Sequence, residues 1–169
     1  DECIRFASAN EIILTQVTED EAAKDPIAAV NYARLEAAYR VLSQATDQDG
    51  NPFTITCIPV PDLAYQQIQS SEPMYKWLST LKYPARVPPF PTDCTAIYVV
   101  KSSSYANYLV SNGVVVAPEY GNTTKDQAVA TALAKAYSGR TIKQINPSAI
   151  NYAGGGIHCC TQQQPTGSV

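Results

Sequence analysis

The 169-residue chain reads as α/β, and three observations carry that reading. Short runs rich in Ile, Val and Thr alternate with stretches whose apolar residues recur at threes and fours. Turn residues separate the two kinds of segment. The order strand, helix, strand then occurs twice along the chain, which is the signature of packed helix and sheet layers.

"EIILTQV" (11–17) is an apolar run of strand length and predicts a buried strand. Acidic "TEDEAAKD" comes next, ending in Asp25-Pro26, an N-cap residue with proline at the first helical position. A helix starts there, with Leu35, Ala38, Val41 and Leu42 on one face. "TDQDGNP" (46–52) ends it before the strand "FTITCIPV". Residues 65–93 are rich in Pro, Tyr and Ser and hold the single Trp, Trp77; "PARVPPFP" has four prolines, which remove backbone donors. This predicts an irregular surface excursion, either a functional rim or plain surface.

Beyond it, "TAIYVV" is a strand, and "SYANYLV" and "VVVAPEY" flank Ser111-Asn112-Gly113, a hairpin signal. Thr124 with Gln127 reads as a capping box, Val129, Ala132, Leu133 and Ala136 as an apolar helix face, and Gly139 as the stop. "RTIKQIN" is the closing strand. Two strand-strand-helix-strand units, neither able to bury its own faces, predict a modular repeat with further copies outside this sequence.

Apolar residues make up 45% and charged residues 16%, a globular balance, and no apolar run approaches the roughly 18 residues of a membrane span. The net charge of −3 without a basic cluster argues against a nucleic-acid partner and leaves a small cationic one open. The start "DECIRFASANEIILTQV" has no initiator Met, basic region or signal core, so the chain looks cut at its front. Five cysteines, Cys3, Cys57, Cys94, Cys159 and Cys160, cannot all pair with one another. Low charge, eleven Tyr and these cysteines lean toward an oxidising compartment, favouring a secreted over a cytoplasmic location.

"NYAGGGIHCCTQQQP" (151–165) concentrates the chemistry. Its three glycines allow close backbone approach to a ligand, but no phosphate-loop spacing and no capped helix accompany them. A tight turn is the plain reading. His158, Cys159 and Cys160 are adjacent, and in extended backbone neighbouring side chains point to opposite sides, so they do not share a metal. The same alternation argues against His158 as general base for Cys159 and for a structural His158 behind the loop. From the residues alone, Cys159 is either an inert packed thiol, the favoured reading, or a nucleophile.

"AGGGIHCCTQQQP" closely resembles the C-terminal signature G-G-x-I-H-C-x-T-Q-Q-Q-P of the agmatine deiminase family, a branch of the guanidine-modifying enzymes related to the Porphyromonas-type peptidylarginine deiminases. "SYANYLVSNGVVVAPEYG", with Asp126 and Ala128, resembles that family's S-Y-x-N, N-G and P-x-x-G stretch. "DECIRFASANEIIL" resembles the segment immediately after the family's H-x-D motif. The resemblance spans nearly the whole chain outside 65–93 and reverses the preference for an inert Cys159.

It implies a pentein-type five-bladed α/β propeller of strand-strand-helix-strand (ββαβ) modules, of which this chain, the C-terminal part of one domain, supplies about two blades. The family's nucleophile maps onto Cys159, and the H-x-D aspartate that holds the substrate guanidinium maps onto Asp1. Gly155 and Gly156 would let backbone lie against the guanidinium. The family's catalytic histidine would precede Asp1, on a companion segment outside this sequence, with the other guanidinium-binding carboxylates. No metal or organic cofactor is implied. The expected substrate is a small guanidino compound, agmatine; peptidyl-arginine, or a non-catalytic propeller fragment with a binding or structural role, are the alternatives. A homo-oligomer is compatible with all three. Cys160 departs from the branched apolar residue usual after the nucleophile; with Cys159 a thiol, Cys3, Cys57, Cys94 and Cys160 allow two disulfides or none.

Overall fold

The structure, a computed structural model, describes residues 2–85, 89–91, 93, 95–152 and 154–164. They fall into two compact units, Asp1–Asp62 with Ser102–Val169, and Leu63–Lys101.

The larger unit holds two modules of one plan. In the first, β1 (Ile4–Phe6) runs antiparallel to β2 (Glu11–Gln16), which lies parallel to β3 (Thr54–Pro59). The parallel pairing requires a crossover. It is made by α1 (Glu19–Lys24) and α2 (Pro26–Leu42). In the second, β6 (Leu109–Ser111) and β7 (Val114–Pro118) form the Asn112-Gly113 hairpin, and α4 (Thr123–Ala136) crosses to β8 (Thr141–Ile145), parallel to β7. The strand-strand-helix-strand order read from the sequence is therefore the order in space. A short helix, α5 (Ser148–Asn151), leads into the glycines.

Local chemistry explains the boundaries. Thr18 and Glu21 cap α1 reciprocally: the Thr18 N–H donates to Glu21 Oε2 at 2.8 Å, and the Glu21 N–H to Thr18 Oγ1 at 3.2 Å. Asp25 caps α2, accepting from the N–H groups of Ile27 and Ala28, with Pro26 where its missing N–H costs nothing. Asn122 caps α4, accepting from the Lys125 N–H at 3.2 Å; the Thr124–Gln127 box expected there is not the cap, because the helix begins one residue before Thr124.

β2 is buried on both faces, with Ile12, Ile13 and Leu14 each at most 1% exposed, a burial that contributes roughly 1.5–3 kcal/mol per side chain. Ile13 and Ile58 of the first module join Val115, Ala117, Val129, Leu133 and Tyr137 of the second in one core, and α4 packs against β3. The predicted α4 face is correct: Val129 and Leu133 are buried, with Ala132 and Ala136 beside them. The predicted α2 face is corrected in part. Ala28 and Leu35, two turns apart, are its buried residues, whereas Val41 in the last turn is 69% exposed.

The smaller unit corrects two expectations. Residues 65–93 are not irregular throughout: β4 (Tyr65–Gln69) and α3 (Pro73–Thr80) lie within them, α3 starting with Pro73 at its first turn. β5 (Ala96–Val100), read as the leading strand of the second module, pairs instead with β4. Tyr75 is buried here, stacked edge-on against Phe90 at 5.1 Å, and its hydroxyl donates to the Pro91 carbonyl. Among the described residues the larger unit thus holds two three-stranded sheets and the smaller unit one two-stranded sheet.

Candidate active site

Three segments remote in sequence meet in the larger unit: the entry to β1, the Ser104–Tyr108 turn before β6, and the glycine turn after α5. Each is held by its own chemistry before it contributes a side chain.

The Ser104 hydroxyl donates to the Glu2 carbonyl and accepts from the Ala106 N–H at 3.0 Å, closing a local turn. Arg5 of β1 reaches across, donating to the Tyr108 carbonyl and lying 4.3 Å over the Tyr108 ring. Tyr105 donates to Asp126 Oδ1 at 2.6 Å; Asp126 also accepts from the N–H groups of Tyr120 and Gly121, both at 3.0 Å. Burial and then Asp126 push the Tyr105 phenol far above its usual range, so it remains a neutral donor. Tyr120 is pushed up to about 12, chiefly by burial. These bonds fix Asn107, which is 1% exposed.

The third segment is a turn. Asn151 Nδ2 donates to the Gly155 carbonyl at 2.5 Å, the Cys160 N–H to the Gly156 carbonyl at 3.3 Å, and the Thr161 N–H to the His158 carbonyl at 3.0 Å. The backbone at 157–160 is therefore not extended, which corrects the premise that neighbouring side chains there alternate. Gly155 has φ +99°, and a Cβ on it would lie 3.2 Å from Cys159 Cβ. A Cβ on Gly156 would lie 2.6 Å from Asn107 Oδ1. Packing alone thus requires both glycines, independently of any ligand.

Asn107 joins the segments. Its Oδ1 accepts from the His158 N–H at 2.8 Å and the Cys159 N–H at 3.4 Å. Its Nδ2 donates to Cys159 Sγ at 3.1 Å and to Glu2 Oε1 at 2.7 Å. Cys159 Sγ lies 3.8 Å from the same Glu2 oxygen. The thiol is exposed at the surface while the amide beneath it is buried. Burial and then the Arg5 guanidinium hold the His158 imidazole below its usual pKa, and hence neutral at pH 7.

Of the residues singled out in the sequence, the structure brings Cys159, Gly155 and Gly156 together; Asp1 lies outside the described residues, as does Cys94. Cys3, Cys57, Cys159 and Cys160 are all thiols. Glu2 and Asn107 were missed as site residues, although Asn107 is the last residue of the quoted S-Y-x-N motif and Glu2 adjoins Asp1. A cavity of about 600 Å³ between β6 and Thr161–Gln164 has none of Glu2, Asn107 or Cys159 in its wall. Among the described residues, no three His, Cys, Asp or Glu side chains come together to hold a metal.

By fold the chain is an α/β protein whose structural neighbours include agmatine deiminases. Over 96% of its length, and 39% of the other chain, it superposes on the solved structure of the agmatine deiminase of Enterococcus faecalis with a TM-score of 0.65, at 22% identity. It belongs to the Porphyromonas-type peptidyl-arginine deiminase family, whose model matches residues 1–165. It is 32% identical to the agmatine deiminase of Pseudomonas fluorescens, across 80% of this chain and 33% of that protein. To the agmatine deiminase of Medicago truncatula it is 29% identical, across 90% of this chain and 36% of that protein. The chain therefore spans about a third of the length of these curated relatives.

Proposed function

We propose that this chain carries the nucleophile of a guanidino-group deiminase that converts agmatine and water to N-carbamoylputrescine and ammonia. The observation that carries the reading is an exposed Cys159 thiol receiving a hydrogen bond from the buried Asn107 amide, inside a glycine turn of the family's signature. In this reading the two ββαβ modules are two blades of a five-bladed propeller, and Asp1 orients the substrate cation. Gly155 and Gly156 keep side chains away from it.

A guanidinium carbon is resonance-stabilised and a poor electrophile, so the reaction needs a thiolate and carboxylates that hold the planar cation in place. Cys159 Sγ bonds to that carbon, and one nitrogen leaves as ammonia with a proton from a histidine. An amidino-thioether remains on Cys159. Water, losing its proton to the same histidine, adds to the carbon and expels the thiolate, leaving the ureido product. In this reading the histidine is the one that the family resemblance places two residues before Asp1, outside these 169 residues, and His158 only anchors the turn, through its N–H bond to Asn107. Neither metal nor organic cofactor takes part.

The test is haloacetamidine labelling with peptide mapping, alongside agmatine turnover by Cys159→Ser and Cys160→Ser proteins. The label is expected on Cys159, with turnover lowered by about a thousandfold or more in Cys159→Ser. Labelling confined to Cys160, or full turnover in Cys159→Ser, overturns the assignment. Assay with peptidyl-arginine in parallel separates the two substrate classes.

A further inference from the structure

Asn107 donates from its amide nitrogen to Cys159 Sγ and to Glu2 Oε1, the first of which is a thiolate in the proposed reaction. Its Oδ1 faces the N–H groups of His158 and Cys159, which fixes the amide's orientation. Nδ2 is thereby left for Cys159 Sγ at 3.1 Å and Glu2 Oε1 at 2.7 Å. One neutral amide then serves a thiolate and a carboxylate that lie 3.8 Å apart. The Arg5 guanidinium, on β1, is engaged by the carbonyls of Tyr108 and Ala106. Like charges so close destabilise each other unless a cation offsets both.

We propose that Glu2 is a charge-selecting residue of this site, making Cys159 react preferentially with a positively charged carbon electrophile. An electrophilic carbon at attack distance, roughly 3–3.5 Å from Sγ, brings its own N–H groups within reach of Glu2 Oε1. A cation gains a charge-assisted bond there, and a neutral ureido or amide group does not. The carboxylate thus favours the guanidinium over the uncharged product. Glu2 also seats the amide that holds Cys159 in place. This inference rests on Cys159 being the nucleophile and on nothing further in the proposed reaction.

The test compares alkylation of Cys159 in the isolated protein by 2-chloroacetamidine, a cation, and by 2-chloroacetamide, its neutral isostere. In both, Sγ bonds to the chlorine-bearing carbon and chloride leaves, so the ratio of the two rates reports charge rather than folding. Glu2→Gln, which keeps the shape and an acceptor for Asn107, is expected to lower the cation-to-neutral ratio about tenfold, and Glu2→Asp to retain most of it. In the unmodified protein, raising the salt from about 0.05 to about 0.5 M lowers the same ratio, a reading that needs no variant. An unchanged ratio in Glu2→Gln, or a salt-independent one, overturns the proposal while leaving the nucleophile assignment standing. No alkylation of Cys159 by either reagent overturns both.

Discussion

Gly156 shows how a single residue decides the site. The atom that a Cβ would strike, Asn107 Oδ1, accepts the N–H groups of the turn that carries Cys159. Gly156→Ala must therefore displace a buried amide that holds the thiol on its other end. A loss of about 1–3 kcal/mol in stability is expected, with turnover falling further than stability does. Thermal melts and rates measured on the same preparation check this. Wild-type kinetics in Gly156→Ala would show that Asn107 does not position Cys159. The triple glycine is conspicuous in the sequence, but its reason is not: the partner of Gly156 is 49 positions away, and no local pattern records it.

At the scale of elements, Asp126 in the first turn of α4 ties that helix to two loops. It accepts from Tyr105 before β6 and from the Tyr120 and Gly121 N–H groups after β7. Asp126→Ala leaves three donors without their acceptor, so a cost of about 3 kcal/mol is expected, larger than loss of the half-buried single-bond cap in Asn122→Ala at about 1 kcal/mol. Denaturant melts of the two variants rank them, and equal losses would remove Asp126 from this role. The hairpin, the α4 face and the α2 start were legible because caps, turn residues and 3.6-residue periods act within a few residues of chain. The α1 helix was not read because its six residues offer no buried face and stand on the Thr18–Glu21 box.

At the scale of the whole molecule, Lys125 of α4 pairs with Glu21 of α1 and with Asp62, binding the second module to the first. Burial alone would raise the Glu21 pKa, but hydrogen bonds from Lys125 and Thr18 outweigh it and hold the carboxyl below its ordinary 4.5. The Lys125 hydrogen bond likewise holds Asp62 below 3.8. Both pKa values are depressed by folding, so the stabilisation is present above the ordinary values and is lost as pH falls through the lowered ones. Lys125→Met is expected to lower Tm by about 2–4 °C at pH 7, a modest effect because Asp62 is well exposed, and by progressively less below about pH 4. A Tm difference that persists undiminished at pH 2 would refute the linkage.

What the sequence by itself determined was the local grammar of this protein: two strand-strand-helix-strand modules, most of their boundaries, and a glycine-led turn ending in Cys159. These features depend on neighbours in the chain, where propensity and period operate. It also marked Asn107 and Asp126 within motifs, without their roles. Only the tertiary structure decided the company each keeps. Glu2, Asn107 and Cys159 are separated by 105 and 52 positions, and they meet because the modules share one core that aligns the β1 entry with the glycine turn. The same holds for β5, whose pattern announces a strand but leaves its pairing partner, β4, unspecified. A strand's period states which face is apolar, while its neighbour is chosen by the burial of that face in three dimensions.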